Sequence, residues 1–259
     1  MNGRQIVESG AMAITDAREA QEALKRLFDT HGHVVFFGGA GVSTASGIPD
    51  FRSQDGLYSQ HFDYPPEVML SHDFYVTHQT EFYRFYREKM IAPAAQPNQC
   101  HRKLVELERS GVLRAVVTQN IDGLHQAAGS RRVYELHGSV HRNVCQECGE
   151  VYGAQWIMSR AHEDEREIPR CPKCGGFIKP DVVLYGEPLD EDVLEGAVDE
   201  IAHADALIVG GTSLVVYPAA GLLRYFQGDT LAIVNRDPTP QDARADLLIS
   251  CDIANAFAF

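Results

Sequence analysis

Short apolar runs that end in glycine or a polar turn recur along this chain, and helical stretches separate them. Val34 to Phe37 runs into Gly38-Gly39, and Val112 to Val117 runs into Thr118-Gln119-Asn120. ADALIVGG at 204–211 and TLAIVN at 230–235 repeat the pattern, and DLLIS at 246–250 offers a further strand. Runs this short, with no polar alternation, suit strands buried on both faces. Residues 14–28, 74–90, 98–109, 190–203 and 216–226 read as helices, with Thr15 or Asp16 able to cap the first. Parallel strands need a crossover between them, so the alternation predicts an α/β fold with a doubly wound parallel sheet.

The interval 139–182 breaks this pattern and reads as an inserted small module. It holds Cys145-Gln-Glu-Cys148 and Cys171-Pro-Lys-Cys174, each followed by glycine, and the charged run HEDERE at 162–167. A two-residue spacer lets both sulfurs of a pair face one ion, and the glycine permits a tight knuckle. Two knuckles supply four thiolates, the set for a closed, structural, tetrahedral Zn²⁺ site. Two redox-active pairs are the alternative. Cys100 and Cys251 read as small buried residues. A chain of 259 residues fits one large domain plus such a module.

Acidic residues outnumber basic ones, 36 to 23, for a net charge of −13. Such a surface repels nucleic-acid phosphates and anionic lipid and suits a lysine-rich protein segment. No apolar run reaches the ~18 residues of a membrane span, and the first residues lack an apolar signal region. The expectation is a cytoplasmic protein without direct nucleic-acid or membrane contact. Nothing in the sequence indicates an oligomeric state.

Two glycine turns follow predicted strands: Gly38-Gly39-Ala40-Gly41-Val42-Ser43-Thr44 and Gly210-Gly211-Thr212-Ser213. One alone could be a structural tight turn. Two at strand C-termini fit a dinucleotide at a switch point of the sheet. A hydride-transfer dehydrogenase fits less well, because Thr44 stands where G-x-G-x-x-G needs its third glycine.

GAGVSTASGIPDFR (39–52), TQNIDGLH (118–125), Leu136-His137-Gly138, the cysteine quartet, KPDVVLYGE (179–187), GTSLVVYPAA (211–220) and IVN (233–235) occur in this order. With them the chain resembles the sirtuins, NAD⁺-dependent protein lysine deacylases. The resemblance implies a Rossmann-like domain of 1–138 and 183–259, a helical insertion near 53–97, and a zinc ribbon at 139–182. NAD⁺ and acyl-lysine would meet between them. It assigns Ala40, Gly41 and Thr44 to the cofactor phosphates and Phe51 and Arg52 to a loop over the nicotinamide ribose. Gln119 and Asn120 match ribose contacts, and Ile121 and Asp122 the nicotinamide pocket. Thr212, Ser213, Asn235 and Asp252 match the adenosine side. Val183, Tyr185, Gly186 and Glu187 match a segment that pairs with the substrate backbone.

His137 matches the catalytic histidine, with Asn120 beside it. Histidine's ordinary pKa makes it a neutral base at cellular pH, and the Asp122 carboxylate can orient a carboxamide. The implied chemistry is attack of the acyl oxygen on the ribose carbon as nicotinamide leaves.

Gly38 stands where the family usually has threonine, and Leu184 replaces a frequent aromatic. Relatives that prefer acidic acyl groups carry Tyr-x-x-Arg where this chain has Tyr83 and Tyr86. Both tyrosines are expected in the acyl pocket, with Arg84 and Arg87 about 100° out of phase on the helix. That predicts a preference for neutral acyl groups, acetyl by default. The competing reading is an amphipathic helix with both tyrosines as packing residues. Protein ADP-ribosylation on the same fold, or a non-catalytic NAD⁺ or zinc-ribbon module, are the alternatives for function.

Overall fold

The computed structural model describes residues 4–6, 12–51, 56–57, 62 and 64–259. β1 (Arg4–Ile6) and β2 (Met12–Ile14) form an antiparallel pair at one edge of the main sheet. α1 (Ala17–Thr30) starts where the Asp16 carboxylate accepts the Glu19 N–H at 2.9 Å. The apolar spacing suggests a helix from Ile14, but Ile14 belongs to β2.

β3 (Val34–Gly38) is buried throughout. α2 (Pro66–Met69), α3 (His72–Thr77) and α4 (Gln79–Phe85) follow, and a π turn at Tyr86–Met90 extends the last. The single helix expected over 74–90 is therefore broken, with His78 at φ −131°, ψ 51°. Val76 and Thr77 are poor helix formers, and the His78 ring stacks back on Phe74 at 4.7 Å.

The order continues through α5 (Gln99–Arg109), β4 (Leu113–Thr118), α6 (Leu124–Ala128), β5 (Val133–Glu135), β6 (Gly138–Cys145), β7 (Val151–Tyr152) and α7 (Ala154–Met158). It closes with β8 (Ile178–Val182), α8 (Glu191–Ala202), β9 (Ala206–Gly210), β10 (Thr230–Val234), β11 (Leu247–Ile249) and α9 (Ile253–Ala256). The segment expected as a helix at 216–226 is a 3₁₀ turn, Ala219–Tyr225. Its buried residues Ala219, Ala220, Leu222 and Leu223 repeat every three, the period of that helix type.

Among the described residues the strands form two sheets. The larger runs β1-β2-β11-β10-β9-β3-β4-β5, and every pairing beyond β1–β2 is parallel. From β3 the chain moves outward through β4 and β5. From β9, its neighbour, it moves the other way through β10 and β11. Gly38 and Gly210 are in register where the two paths part. This is a topological switch point, where such a sheet opens a crevice beyond its strand C-termini. Val34 and Phe36 face one buried cluster and Val35 and Phe37 another, so both faces are covered.

The smaller sheet, β7-β6-β8, is antiparallel. Its core also takes Phe74, Phe82, Tyr83 and Tyr86 from the aromatic helices. Those helices and the cysteine module thus share one core, set beside the large sheet.

Candidate active site

A cleft of about 530 Å³ lies at the switch point and extends to the small domain. The two glycine turns build its floor by packing on each other. The Gly39 N–H donates to Gly210 O at 3.1 Å and the Gly41 N–H to Gly211 O at 2.8 Å. A Cβ on Gly41 would stand 2.8 Å from Gly211 Cα, and Gly211 sits at φ +60°. Turn-on-turn contact therefore requires glycine here, and it leaves Ala40 and Gly41 on the cleft wall.

Thr212, Ser213, Asn235 and Asp252 line the large-domain end. The Gln119 amide donates to Thr212 Oγ1 at 2.9 Å, linking the loop after β4 to the turn after β9. Asp252 caps α9 by accepting the Asn255 N–H at 3.1 Å, and the Asn235 amide donates to Asp237 O at 2.7 Å. A dinucleotide needs a backbone-lined floor, polar groups at both ends and a crevice of several hundred Å³. The cleft meets those requirements.

At its centre are Asn120, Asp122 and His137. The Asn120 amide donates to Ser43 Oγ at 3.1 Å, and the Ser43 hydroxyl donates to Asp122 Oδ2 at 2.6 Å. The Leu124 N–H donates to Asp122 Oδ1 at 2.9 Å. Burial pushes the Asp122 carboxyl above its usual range, against the pull of those two donors. Burial also holds His137 below its ordinary value, partly offset by the Gln119 carbonyl 3.0 Å from Nδ1. A carbonyl can only accept, so Nδ1 carries the proton and Nε2 keeps its lone pair.

Two chain crossings join the domains beside His137. Gly138 has φ +74°, and its backbone runs against Asp181 O so closely that no side chain fits. The Val183 N–H donates to His137 O at 3.0 Å. Val183, Tyr185, Gly186 and Glu187 line the cleft. The Tyr185 backbone is paired on its other side, its N–H with Leu70 O at 2.9 Å and its carbonyl with the His72 N–H at 3.0 Å. Burial opposes charge on Glu187, but the Leu184 N–H, His72 and Lys179 together hold its carboxyl below the usual value. That carboxylate braces the segment.

The four cysteine sulfurs lie within 4.8 Å of one another. The two knuckles repeat one geometry. Gly149 N–H donates to Cys145 O and Gly175 N–H to Cys171 O, while Cys145 N–H reaches Glu150 O and Cys171 N–H reaches Gly176 O. Gly149 and Gly175 both take positive φ, 71° and 80°. The set fits tetrahedral Zn²⁺, whose Zn–S bonds of ~2.3 Å hold sulfurs this close. The Tyr152 hydroxyl lies 3.1 Å from Cys171 Sγ, in the position of an outer-shell donor.

The Sir2 family model matches residues 39–218, a span that includes both glycine turns, His137 and the cysteine quartet. The chain belongs to the Sir2 family. It is 56% identical over 232 residues to an NAD-dependent protein deacetylase of Clostridium acetobutylicum, covering 89% of this chain and 93% of that one. It is 53% identical over 230 residues to a protein of the same name from Cutibacterium acnes, covering 88% and 92%. A Sir2 protein solved with a propionylated peptide matches at TM-score 0.80 and 38% identity, over 92% of this chain and 95% of that one. A Sir2–p53 peptide–NAD⁺ complex matches at 0.79 and 39%, with the same coverage.

Some residues carried over from the resemblance fall elsewhere in this Sir2 chain. Thr44 does not line the cleft. Its hydroxyl donates to Gly41 O at 3.0 Å and so holds the turn. Phe51 and Ile121 line the cleft, and Arg52 lies outside the described residues. Tyr83 and Tyr86 are not in the cleft but in the small-domain core, 0% and 1% exposed. Tyr83 donates to Ile178 O and Tyr86 to Asn143 Oδ1. Arg84 pairs with Glu167, and Arg87 with Glu163, so both arginines face the 157–167 segment.

Leu70, Met90, Tyr217 and Arg236 line the cleft without having been singled out in the sequence, and Ser43 lines it from within the first glycine turn. Ser43 and Tyr217 lie inside the quoted motifs. Leu70 and Met90 come from a segment with no motif, and only the fold brings them to the cleft.

Proposed function

We infer that this Sir2 protein is an NAD-dependent protein lysine deacetylase. The observation that carries the reading is His137, half-buried in a cleft suited to a dinucleotide, with Nδ1 fixed by Gln119 O and Nε2 left as a base. NAD⁺ supplies the ribose that accepts the acyl group, and the products are lysine, nicotinamide and O-acyl-ADP-ribose. Ala40 and Gly41 hold the phosphates, Thr212, Ser213, Asn235 and Asp252 the adenosine, and Gln119 and Asn120 the ribose. Asp122, oriented by Ser43, holds the carboxamide. Val183 to Glu187 pair with the substrate backbone, and Cys145, Cys148, Cys171 and Cys174 hold a structural Zn²⁺ remote from the chemistry.

Lysine-rich segments of other proteins suit the net charge of −13. No helix among the described residues is long and apolar enough to cross a membrane. The cytoplasm is the compartment we assign.

The test is nicotinamide release from NAD⁺ with and without an acetyl-lysine peptide. Release that requires the peptide and yields free lysine supports the reading. Protein ADP-ribosylation without peptide deacetylation favours the transferase, and no release under either condition favours a binding module.

A further inference from the structure

Between Gly138 and Asn143 the register of β6 on β8 shifts, and the ladder of the small sheet is interrupted there. The residues of this stretch pair instead with the loop that follows β4 in the large domain. The Val140 N–H donates to Ile121 O at 3.0 Å. His141 Nε2 lies 3.0 Å from Asp122 O. A carbonyl only accepts, so this nitrogen carries the proton and donates. The His141 ring also covers Gly123: a Cβ there would stand 2.6 Å from His141 Cδ2, and Gly123 takes φ +69°. The Ile121 side chain packs on the small-domain core. Arg142 completes the join. It donates to Glu135 Oε2 at 2.7 Å, two residues before His137, and to Asp181 Oδ2 of β8 at 2.6 Å.

Asp122 is therefore held from two sides. Its carboxylate accepts from the Ser43 hydroxyl and the Leu124 N–H, both of the large domain. Its backbone carbonyl accepts from His141 of the small domain. A short side chain follows the peptide that carries it, and the glycine at 123 imposes few steric limits of its own on that peptide. The donor that fixes the Asp122–Gly123 peptide thus sets where the carboxylate aims. We propose that His141 is a positioning residue for the nicotinamide end of the reaction. Docked on Asp122 and Gly123, it keeps the Asp122 carboxylate in line with the carboxamide, both of NAD⁺ and of free nicotinamide. His141 is exposed and does not line the cleft, so it acts through Asp122 and touches no reactant. This rests on the deacetylase reading, which gives Asp122 the carboxamide. It makes nicotinamide affinity depend on the docking of the small domain, because the donor comes from β6.

The test measures three constants in wild type, His141→Ala and His141→Gln: KM for NAD⁺, KM for an acetyl-lysine peptide, and the inhibition constant of nicotinamide. In His141→Ala the NAD⁺ and nicotinamide constants should rise together by about five- to tenfold, the effect of one lost hydrogen bond. The peptide KM should stay within about twofold of wild type, since the peptide does not meet Asp122. The glutamine amide can donate to the same carbonyl, so His141→Gln should keep most of the affinity. Melting temperature and zinc content of the same samples report on the fold. NAD⁺ and nicotinamide constants indifferent to His141→Ala, or a peptide KM that rises by the same factor, overturn the proposal while the deacetylase reading stands. A wild-type protein that turns over no acetyl-lysine peptide is a separate result, which defeats that reading and the proposal with it.

Discussion

The Tyr86 hydroxyl donates to the Asn143 carboxamide oxygen at 3.1 Å inside the small-domain core. Asn143 is fully buried, and its amide donates to the carbonyls of Val140 and Tyr152 at 3.0 and 3.1 Å. The pair ties the end of the aromatic helices to β6 and β7, the strands that frame Cys145. Burial raises the Tyr86 phenol far above its ordinary value, so it remains a donor at any working pH.

Tyr86→Phe leaves Asn143 Oδ1 buried without that donor, which costs about 1–3 kcal/mol. Urea unfolding should show a lower midpoint at unchanged slope. Tyr86→Arg should be worse, because it places a guanidinium in an apolar core. A well-folded Tyr86→Arg protein with faster desuccinylation would mean that this side chain reaches the acyl pocket after all.

The pH profile of turnover should follow His137. Its pKa is depressed in the folded protein, chiefly by burial. The neutral base therefore persists below the ordinary value of ~6.5, and activity should fall only as pH drops through the lower folded value. His137→Ala should cost ~10²–10⁴-fold in rate with NAD⁺ binding largely kept. Binding measured by calorimetry alongside turnover separates the two effects. Near-normal turnover in the variant would remove His137 from the role of base.

His101 and His125 set an acid limit on stability. Their rings lie 4.7 Å apart, 0% and 1% exposed. Burial, aided by Arg102, lowers His101 to about 4. Burial, aided by His101, lowers His125 well below its ordinary value. The unfolded chain protonates both near ~6.5 while the folded chain does not, so folding stability is full above that pH and declines below it. Each group contributes a slope of about 1.4 kcal/mol per pH unit within its window, which for His101 runs down to about 4. Melting temperature measured from pH 7.5 to 4.5 should fall on the acid side, and His125→Leu should flatten that fall. An unchanged slope in His125→Leu would show that His125 does not carry it.

Zinc and folding should be coupled. Cys171→Ser should lower metal content and melting temperature together, since metal binding here adds to folding free energy. The single tryptophan, Trp156, packs on Tyr152 at 4.3 Å, and the Tyr152 hydroxyl lies against Cys171. A chelator should therefore change tryptophan emission in step with metal loss. Full occupancy and unchanged melting in Cys171→Ser would exclude the site.

The sequence alone determined whatever is written locally. Apolar runs mark β3, β4, β9 and β10 because a strand buried on both faces cannot afford polar alternation. The cysteine spacing marks the quartet because a knuckle closes within six residues. The motifs around Gly41, Asn120 and His137 stand out because each must present fixed groups at a strand end.

Only the tertiary structure decided which residues share a wall. β5 is three residues long, too short for a periodic signal. The turn at His78 depends on a ring stacked on Phe74. Tyr86 and Lys89 lie three residues apart on one irregular turn, yet one is packed against Asn143 and the other lines the cleft. Helical phase read from sequence could not separate them, because the π turn alters the rotation per residue and because Asn143, the partner that holds Tyr86 in the core, lies far away in the chain.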